Sequence, residues 1–244
     1  MTEHRFRHTL GRSWRLFRAF GHEQSDPDRF YGPLADDSVR QVQHYEPLDG
    51  RLLLDVGGGP GYFAEAFRAA GARYIGVEAD HGELAGRGTS MEDMVIGSGL
   101  QLPFADETFD ISYSSNVLEH VPEPWTMADE MVRVTRRGGL VVIAYTLWWG
   151  PWGGHETAPW HFLGGHRARR RYARKHGHDP KNVFGESLFA VTVHSGLRWL
   201  HRDADLVDVQ AFPRYLPRWM HWLVRVPVVR ELATWNLVLV GRRR

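Results

Sequence analysis

The 244-residue chain is 43% apolar and 24% charged, carries a formal charge of +1 and contains no cysteine. A chain of that size buries one α/β core with additions, and its composition is that of an ordinary globular protein. Disulfides, thiolate metal sites and cysteine nucleophiles are excluded, and with no uninterrupted apolar run near about 18 residues no membrane-crossing helix is expected.

The small net charge conceals an asymmetry. Residues 51–130 carry 4 Arg against 14 Asp and Glu, whereas residues 131–244 carry 19 Arg and Lys against 7 Asp and Glu. A basic back half either meets something anionic or is a set of solvated helix faces. Met1-Thr2-Glu3-His4-Arg5 lacks the apolar core of a secretion signal, so the expected location is cytoplasmic, at most peripheral to the inner face of a membrane.

Residues 4–20 place Phe6, Leu10, Trp14, Phe17 and Phe20 at spacings of three and four among five arginines, a basic amphipathic helix. It either packs on the domain or lies on an anionic membrane surface. Ser25-Asp26-Pro27 and Tyr31-Gly32-Pro33 read as turns, and Asp37 to Tyr45 as a helix. An apolar strand over 51–56 then ends in Asp55 and Val56 and crosses a glycine turn. The turn feeds a helix from Gly61 or Tyr62 to about Ala70, with Phe63, Ala66 and Phe67 inward and Gly71 as cap. Gly57, Gly59 and Gly61 can take φ > 0 and let a ligand approach the backbone. Their spacing is Gly-x-Gly-x-Gly, and the dinucleotide fingerprint would need a further glycine at Tyr62. Asp55 suits a ligand that carries an ammonium group. A second strand over 73–78 ends in Glu78, 21 residues after Gly57, where α/β nucleotide folds place an acid for ribose hydroxyls.

Residues 81–93 read as loop, 94–96 as a minimal strand, and 109–114 as a strand. The segment 115–124 runs into a helix that ends near Thr135, and Gly138-Gly139 opens a strand over 140–147. This order makes a mostly parallel sheet the economical topology. Four motifs in sequence resemble the class I S-adenosylmethionine-dependent methyltransferases: the 55–61 glycine turn, Glu78, Leu102-Pro103-Phe104 before Phe109-Asp110, and Leu118-Glu119-His120-Val121 followed by Arg133-Val134-Thr135-Arg136-Arg137-Gly138-Gly139-Leu140. The resemblance spans about residues 45–147. It implies a Rossmann-like, seven-stranded, mostly parallel sheet with an antiparallel last strand, and S-adenosylmethionine as cofactor. It also implies cofactor contacts from Asp55, Gly57, Gly59, Gly61, Glu78, Ser98, Gly99, Leu100 and Asn116. The family usually carries Asp where Ser98 stands, to accept a hydrogen bond from the adenine amino group; serine accepts one more weakly.

The back half is less regular. Trp148, Trp149, Trp152 and Trp160 put four of the ten tryptophans within 13 residues, among glycines and prolines that oppose regular structure. A loop leaving the carboxyl end of a strand overlies the ligand crevice, so this one either lines an apolar acceptor pocket or forms a satellite core. His155, Glu156 and His161 lack the helical spacing of a zinc motif, and no metal is expected. Residues 166–175 form a strongly basic helix, 186–194 a helix capped by Gly196, 204–212 a strand and 235–240 the last strand, before a basic tail of Arg242, Arg243 and Arg244. The insertion 216–227 between these strands places Trp219, Trp222, Leu223 and Val226 on one face. Together with residues 6–20 it is a candidate contact with an anionic membrane; packing or a dimer contact are the alternatives. This half resembles an actinobacterial methyltransferase group linked to cell-envelope glycolipid metabolism.

The expected organisation is one domain: a helical extension (1–45), a cofactor-binding core (46–147), an acceptor-side region (148–203) and C-terminal strands with the insertion (204–244). The resemblance implies O-methylation of an apolar or lipid-linked small molecule. A hydroxyl acceptor needs a base near its proton, and His120 is the first candidate, ahead of Glu119, His155 and His161, unless it only caps or braces the following helix. Two alternatives stay open, an RNA methyltransferase and a non-catalytic cofactor-binding scaffold at a membrane. Nucleic acid is the weaker partner, because Ser115-Asn116-Val117-Leu118 lacks the Pro-Pro-aromatic signature of base-amino methylases and no cysteine supports the covalent cytosine route.

Overall fold

The computed structural model describes residues 6–20, 27–79, 93–202 and 205–244. The loop read at 81–93, apart from Asp93, lies outside the described residues, as do His4, Arg5, Ser25, Asp26 and Ala204. The strands are β1 (Leu52–Val56), β2 (Arg73–Glu78), β3 (Met94–Ile96), β4 (Phe109–Ser115), β5 (Thr135–Thr146), β6 (Leu206–Pro213) and β7 (Asn236–Arg243). They form one seven-stranded sheet in the order β3-β2-β1-β4-β5-β7-β6, in which β7 runs antiparallel to both of its neighbours. The other pairings are parallel. This is the expected Rossmann-like sheet.

Both faces are covered, and residues 52–54, 140–145 and 237–240 are accordingly continuous apolar runs. Strand β4 instead alternates apolar residues with buried serines: the Ser114 hydroxyl donates to the Val56 carbonyl at 2.8 Å, and the Ser112 hydroxyl accepts from Thr135 at 2.7 Å. Successive residues of β5 serve opposite sides. Leu140, Val142 and Ala144 face helices α1 (Leu10–Phe20), α2 (Pro27–Tyr45) and α3 (Tyr62–Ala69), while Val141, Ile143 and Tyr145 face α4 (Pro124–Val134) and α6 (Val193–Arg202). Helix α5 (Gly165–His176) is the expected basic helix and packs beyond the sheet on a 3-10 turn, Trp160–Leu163.

Several elements depart from their sequence-based bounds. The N-terminal helix begins at Leu10 rather than at residue 4. Helix α2 starts ten residues before the expected Asp37 and runs through Pro33, which cannot donate to a preceding carbonyl. Burial of Phe30, Leu34, Ala35 and Val42 along one face outweighs the turn chemistry of Tyr31-Gly32-Pro33. Strand β5 begins at Thr135, directly after α4, because the register slips between the pairs Phe109–Thr135 and Ile111–Leu140 and Gly138, at φ 73°, absorbs the extra residues. The helix expected over 186–194 instead starts at Val193, since the Glu231 carboxylate accepts the Val193 and His194 N–H groups, both at 2.8 Å. Gly196, the expected cap, lies inside α6 where a Cβ would overlap the Tyr145 hydroxyl. Arg242 and Arg243 are no free tail but part of β7, donating to the Tyr45 and Thr135 carbonyls at 2.6 Å each. The 216–227 insertion is a 3-10 run, Arg218–Arg225, followed by the short α7 (Val229–Ala233).

Helix α1 is pinned rather than free. Arg12 is buried and forms a two-pronged pair with Asp37 of α2 at 2.8 and 2.6 Å, while its third nitrogen donates to the Arg214 carbonyl at 2.7 Å. Removing one partner of such a buried pair costs about 3–5 kcal/mol, because the other charge is stranded.

Candidate active site

The glycine turn after β1 is held by two N–H groups, Gly57 and Gly58, that donate to the Val77 carbonyl at 2.8 and 3.3 Å. Gly57, Gly59 and Gly61 have φ of 81°, 51° and 88°. Their surroundings differ. A Cβ on Gly57 would overlap Val117, whereas nothing stands within 4 Å of a Cβ on Gly59. The free face of the turn is therefore at Gly59. Glu78 meets it there: one carboxylate oxygen accepts the Gly59 N–H at 3.1 Å and the other the Ala79 N–H at 2.9 Å.

Asp55 lies beneath the turn and not in it. It is 1% exposed and accepts the Tyr74 hydroxyl proton at 2.9 Å. Burial pushes its carboxyl up to about 7; the Tyr74 hydrogen bond opposes that rise and Glu78 adds to it. The oxygen that accepts from Tyr74 lies 3.6 Å from where a Cβ on Gly58 would stand. Ser98 accepts the Leu100 N–H at 3.2 Å, and Gly99 allows the close approach of Met127. Asn116, at φ 58°, accepts from the Asn236 amide at 2.7 Å and marks the boundary with a second space.

That second space is a cavity of about 520 Å³ at the carboxyl ends of β4 and β5. Leu16, Phe17 and Arg18 of α1 roof it, and Trp152, Tyr215 and Trp235 wall it. Phe17, Trp152 and Trp235 touch one another, with centroid separations of 5.9, 5.8 and 4.9 Å. The floor is polar: Asn116, Glu119, His120, Thr146, His155 and Glu156. Glu119 is 1% exposed; one oxygen accepts the Thr146 N–H at 3.0 Å, and the other is buried with no hydrogen-bond partner among the described residues. Burial raises its pKa, partly opposed by His120.

His120 places Nδ1 2.7 Å from the Ser187 carbonyl. That contact requires the proton on Nδ1 and leaves the Nε2 lone pair free. His155 stands 5.1 Å from it, ring centre to ring centre, on a backbone at φ 47°. Burial, with His120, His161 and Lys181 nearby, lowers its pKa to about 3, and its Nε2 is buried without a hydrogen-bond partner among the described residues.

The expected residues thus divide. His120 and His155 meet at the cavity floor with Glu119. His161 does not join them: it is buried against Trp148 and Phe162, with Nε2 3.1 Å from the Gly150 carbonyl. The tryptophans of the 148–162 loop divide too, with Trp148 in the interior, Trp152 in the cavity wall, and Trp149 and Trp160 exposed. Sequence reasoning missed Tyr31, Tyr215 and Trp235 as lining residues. Phe17 carried a signal, but the amphipathic pattern could not say that its apolar face would roof a cavity.

A family profile described as a methyltransferase domain matches residues 54–143. An uncharacterized methyltransferase of Mycobacterium avium (strain 104) is 54% identical, with 96% of each chain covered. One from Mycobacterium tuberculosis (strain ATCC 25618 / H37Rv) is also 54% identical, over 96% of this chain and 95% of the other. Among solved structures, an S-adenosylmethionine-dependent methyltransferase from Mesorhizobium loti shares the fold at TM-score 0.56 and 17% identity, over 86% of this chain and 98% of the other. The chain belongs to the class I methyltransferases, the family whose methyl donor is S-adenosylmethionine.

Proposed function

We propose that this methyltransferase methylates the hydroxyl of an apolar acceptor, and that a lipid-linked small molecule such as a cell-envelope glycolipid is the class accepted. The observation that carries this reading is the cavity at the carboxyl ends of β4 and β5, walled by aromatic side chains, with Arg18 the charged group of its roof and the other polar groups gathered at its floor.

The donor side fits the cofactor. The Cβ-free face at Gly59, the Glu78 carboxylate at the end of β2 and the N-terminus of α3 would hold S-adenosylmethionine, with Ser98, Leu100 and Asn116 beside them. When bound, it supplies a methyl group on a sulfonium. The chain's own residues position the acceptor and keep water out, which is most of what an in-line displacement needs. Phe17, Trp152 and Trp235 exclude water above the acceptor. Glu119, His120 and His155 face its hydroxyl, where the proton must leave.

The surface is consistent with an acceptor drawn from a membrane. Leu10 and Trp14 on α1 and Trp219 and Trp222 on the 3-10 run are each more than half exposed. The two elements adjoin, since the Arg218 N–H donates to the His8 carbonyl at 2.9 Å. Tryptophan with arginine on amphipathic segments is the composition of an interfacial contact. No helix among the described residues is long and apolar enough to cross a membrane.

The test is incubation with methyl-labelled S-adenosylmethionine and separate lipid, water-soluble and RNA fractions. Label in the lipid fraction is the expected result. Label in RNA would replace this reading with nucleic-acid methylation, and cofactor binding without label in any fraction would leave a scaffold.

A further inference from the structure

We propose that Glu119, His120 and His155 form a site for one divalent transition-metal cation, with zinc the best match to the donors, on the floor of the acceptor cavity. The ligand-type atoms of these three residues lie within 4.8 Å of one another. Tetrahedral coordination at about 2.0–2.2 Å sets ligand atoms roughly 3.3 Å apart, so small χ rotations close the set around an ion. The three donors come from two loops that the sheet brings together. Glu119 and His120 share the 3-10 turn after β4, and His155 lies in the loop after β5.

Two further features point to a ligand. The Glu119 oxygen turned from Thr146 and the His155 Nε2 are both buried and lack a hydrogen-bond partner among the described residues. Groups of that kind in a native interior are otherwise satisfied. The remaining atoms are already oriented from behind. The Ser187 carbonyl accepts the His120 Nδ1–H and so aims the Nε2 lone pair away from it, while the Thr146 N–H donates to the other Glu119 oxygen. Outer contacts of this type fix the tautomer and direction of metal ligands. His155 adopts φ 47°, a conformation uncommon for a non-glycine residue, and that backbone presents its ring to His120. The sequence reading grouped His155 with Glu156 and His161; the fold supplies other partners.

Donor chemistry selects the ion. Two imidazoles and one carboxylate suit zinc, iron or manganese, whereas magnesium and calcium prefer all-oxygen shells. Three protein ligands leave a fourth position open, and all three residues line the cavity. A cation there would acidify an acceptor hydroxyl, whose proton leaves to solvent; the oxygen's electron pair would then form the O–CH3 bond as the donor's methyl–sulfur bond breaks, that pair returning to sulfur in the departing neutral thioether. This role, unlike the site itself, rests on the acceptor reading above.

The experiment strips the purified protein with a chelator, restores zinc, and measures bound metal by mass spectrometry and affinity by chelator competition. Glu119→Gln and His155→Asn are the variants; both are near in shape, and asparagine tolerates the positive φ at 155. One zinc per chain is expected, with affinity falling by at least about 100-fold in each variant and no comparable uptake of magnesium. S-adenosylmethionine affinity, unchanged across the set, reports an intact fold. No uptake, or equal uptake by both variants, overturns the site. Uptake lost in the variants supports it even if no lipid is labelled, in which case the acceptor reading falls alone. Lipid labelling undiminished in zinc-free enzyme overturns the cation's role and leaves the acceptor reading standing.

Discussion

Asp55→Asn removes a single titrating group from beneath the glycine turn. The wild-type carboxyl rises from 3.8 to about 7 on folding, and burial is the main cause. The titratable groups around it are the neutral Tyr74 phenol and Glu78 on β2; Arg68 of α3 acts on Tyr74, its guanidinium 5.2 Å from the centre of that ring. Because the folded value is raised, the native state holds one proton more than the unfolded chain between these two pH values. This contribution to stability is fully present below the lower value and is lost as pH rises through the upper one. A displacement of about three units corresponds to about 4 kcal/mol, an upper figure for a site that relaxes on ionisation. Asparagine imitates the neutral acid and keeps an oxygen for the Tyr74 hydroxyl. The two proteins should therefore match near pH 4, and the variant should be the more stable above pH 7, by as much as that amount. Urea unfolding of both proteins at half-unit pH steps and constant ionic strength gives the difference curve, in which the other carboxylates cancel. A flat difference between pH 4 and 8 would show that Asp55 is not buried as described.

Gly59→Arg should abolish S-adenosylmethionine binding by calorimetry while the protein stays folded, since the added side chain fills the open face of the turn; unchanged affinity would remove the donor assignment. Gly196→Ala puts a methyl group into the Tyr145 hydroxyl, which donates to the Thr192 carbonyl at 3.0 Å, and should lower stability by about 1–3 kcal/mol in thermal melts. Trp219→Glu with Trp222→Glu should reduce co-sedimentation with anionic vesicles severalfold, the exposed rings being replaced by repelled charges; equal sedimentation would end the interfacial reading. His120→Ala should cut turnover at least about tenfold with S-adenosylmethionine affinity intact, and unchanged turnover would dissociate the floor cluster from the chemistry.

The sheet was legible because its signals are local. Strands 73–78 and 94–96 match their sequence-based bounds, and Gly57, Gly59 and Gly61 adopt the positive φ that their spacing suggests. The misplaced starts of α2 and α6 share one cause, groups brought from far along the chain. Nothing near Val193 announces that a carboxylate at position 231 will cap its helix, and nothing near Pro33 announces how fully its neighbours are buried. The same holds at the site. Glu119, His120 and His155 are individually visible, but only the parallel pairing of β4 with β5 sets their loops side by side. His161, six residues from His155, looked equivalent, but its Nε2 is engaged by the Gly150 carbonyl.

The Arg12 anchor has a consequence for the order in which this molecule comes together. Helix α1 leaves the ribosome before the other elements described, yet one of the three contacts made by Arg12 is to a carbonyl 202 residues later, just after β6. Trp235, which completes the aromatic contact with Phe17, is made later still. Contacts between distant parts of a chain form slowly, because the intervening loop must first be closed. The donor-binding strands can therefore assemble during synthesis, while the acceptor cavity closes only when the last strand arrives. Truncated chains would carry a finished glycine turn with no roofed chamber beside it.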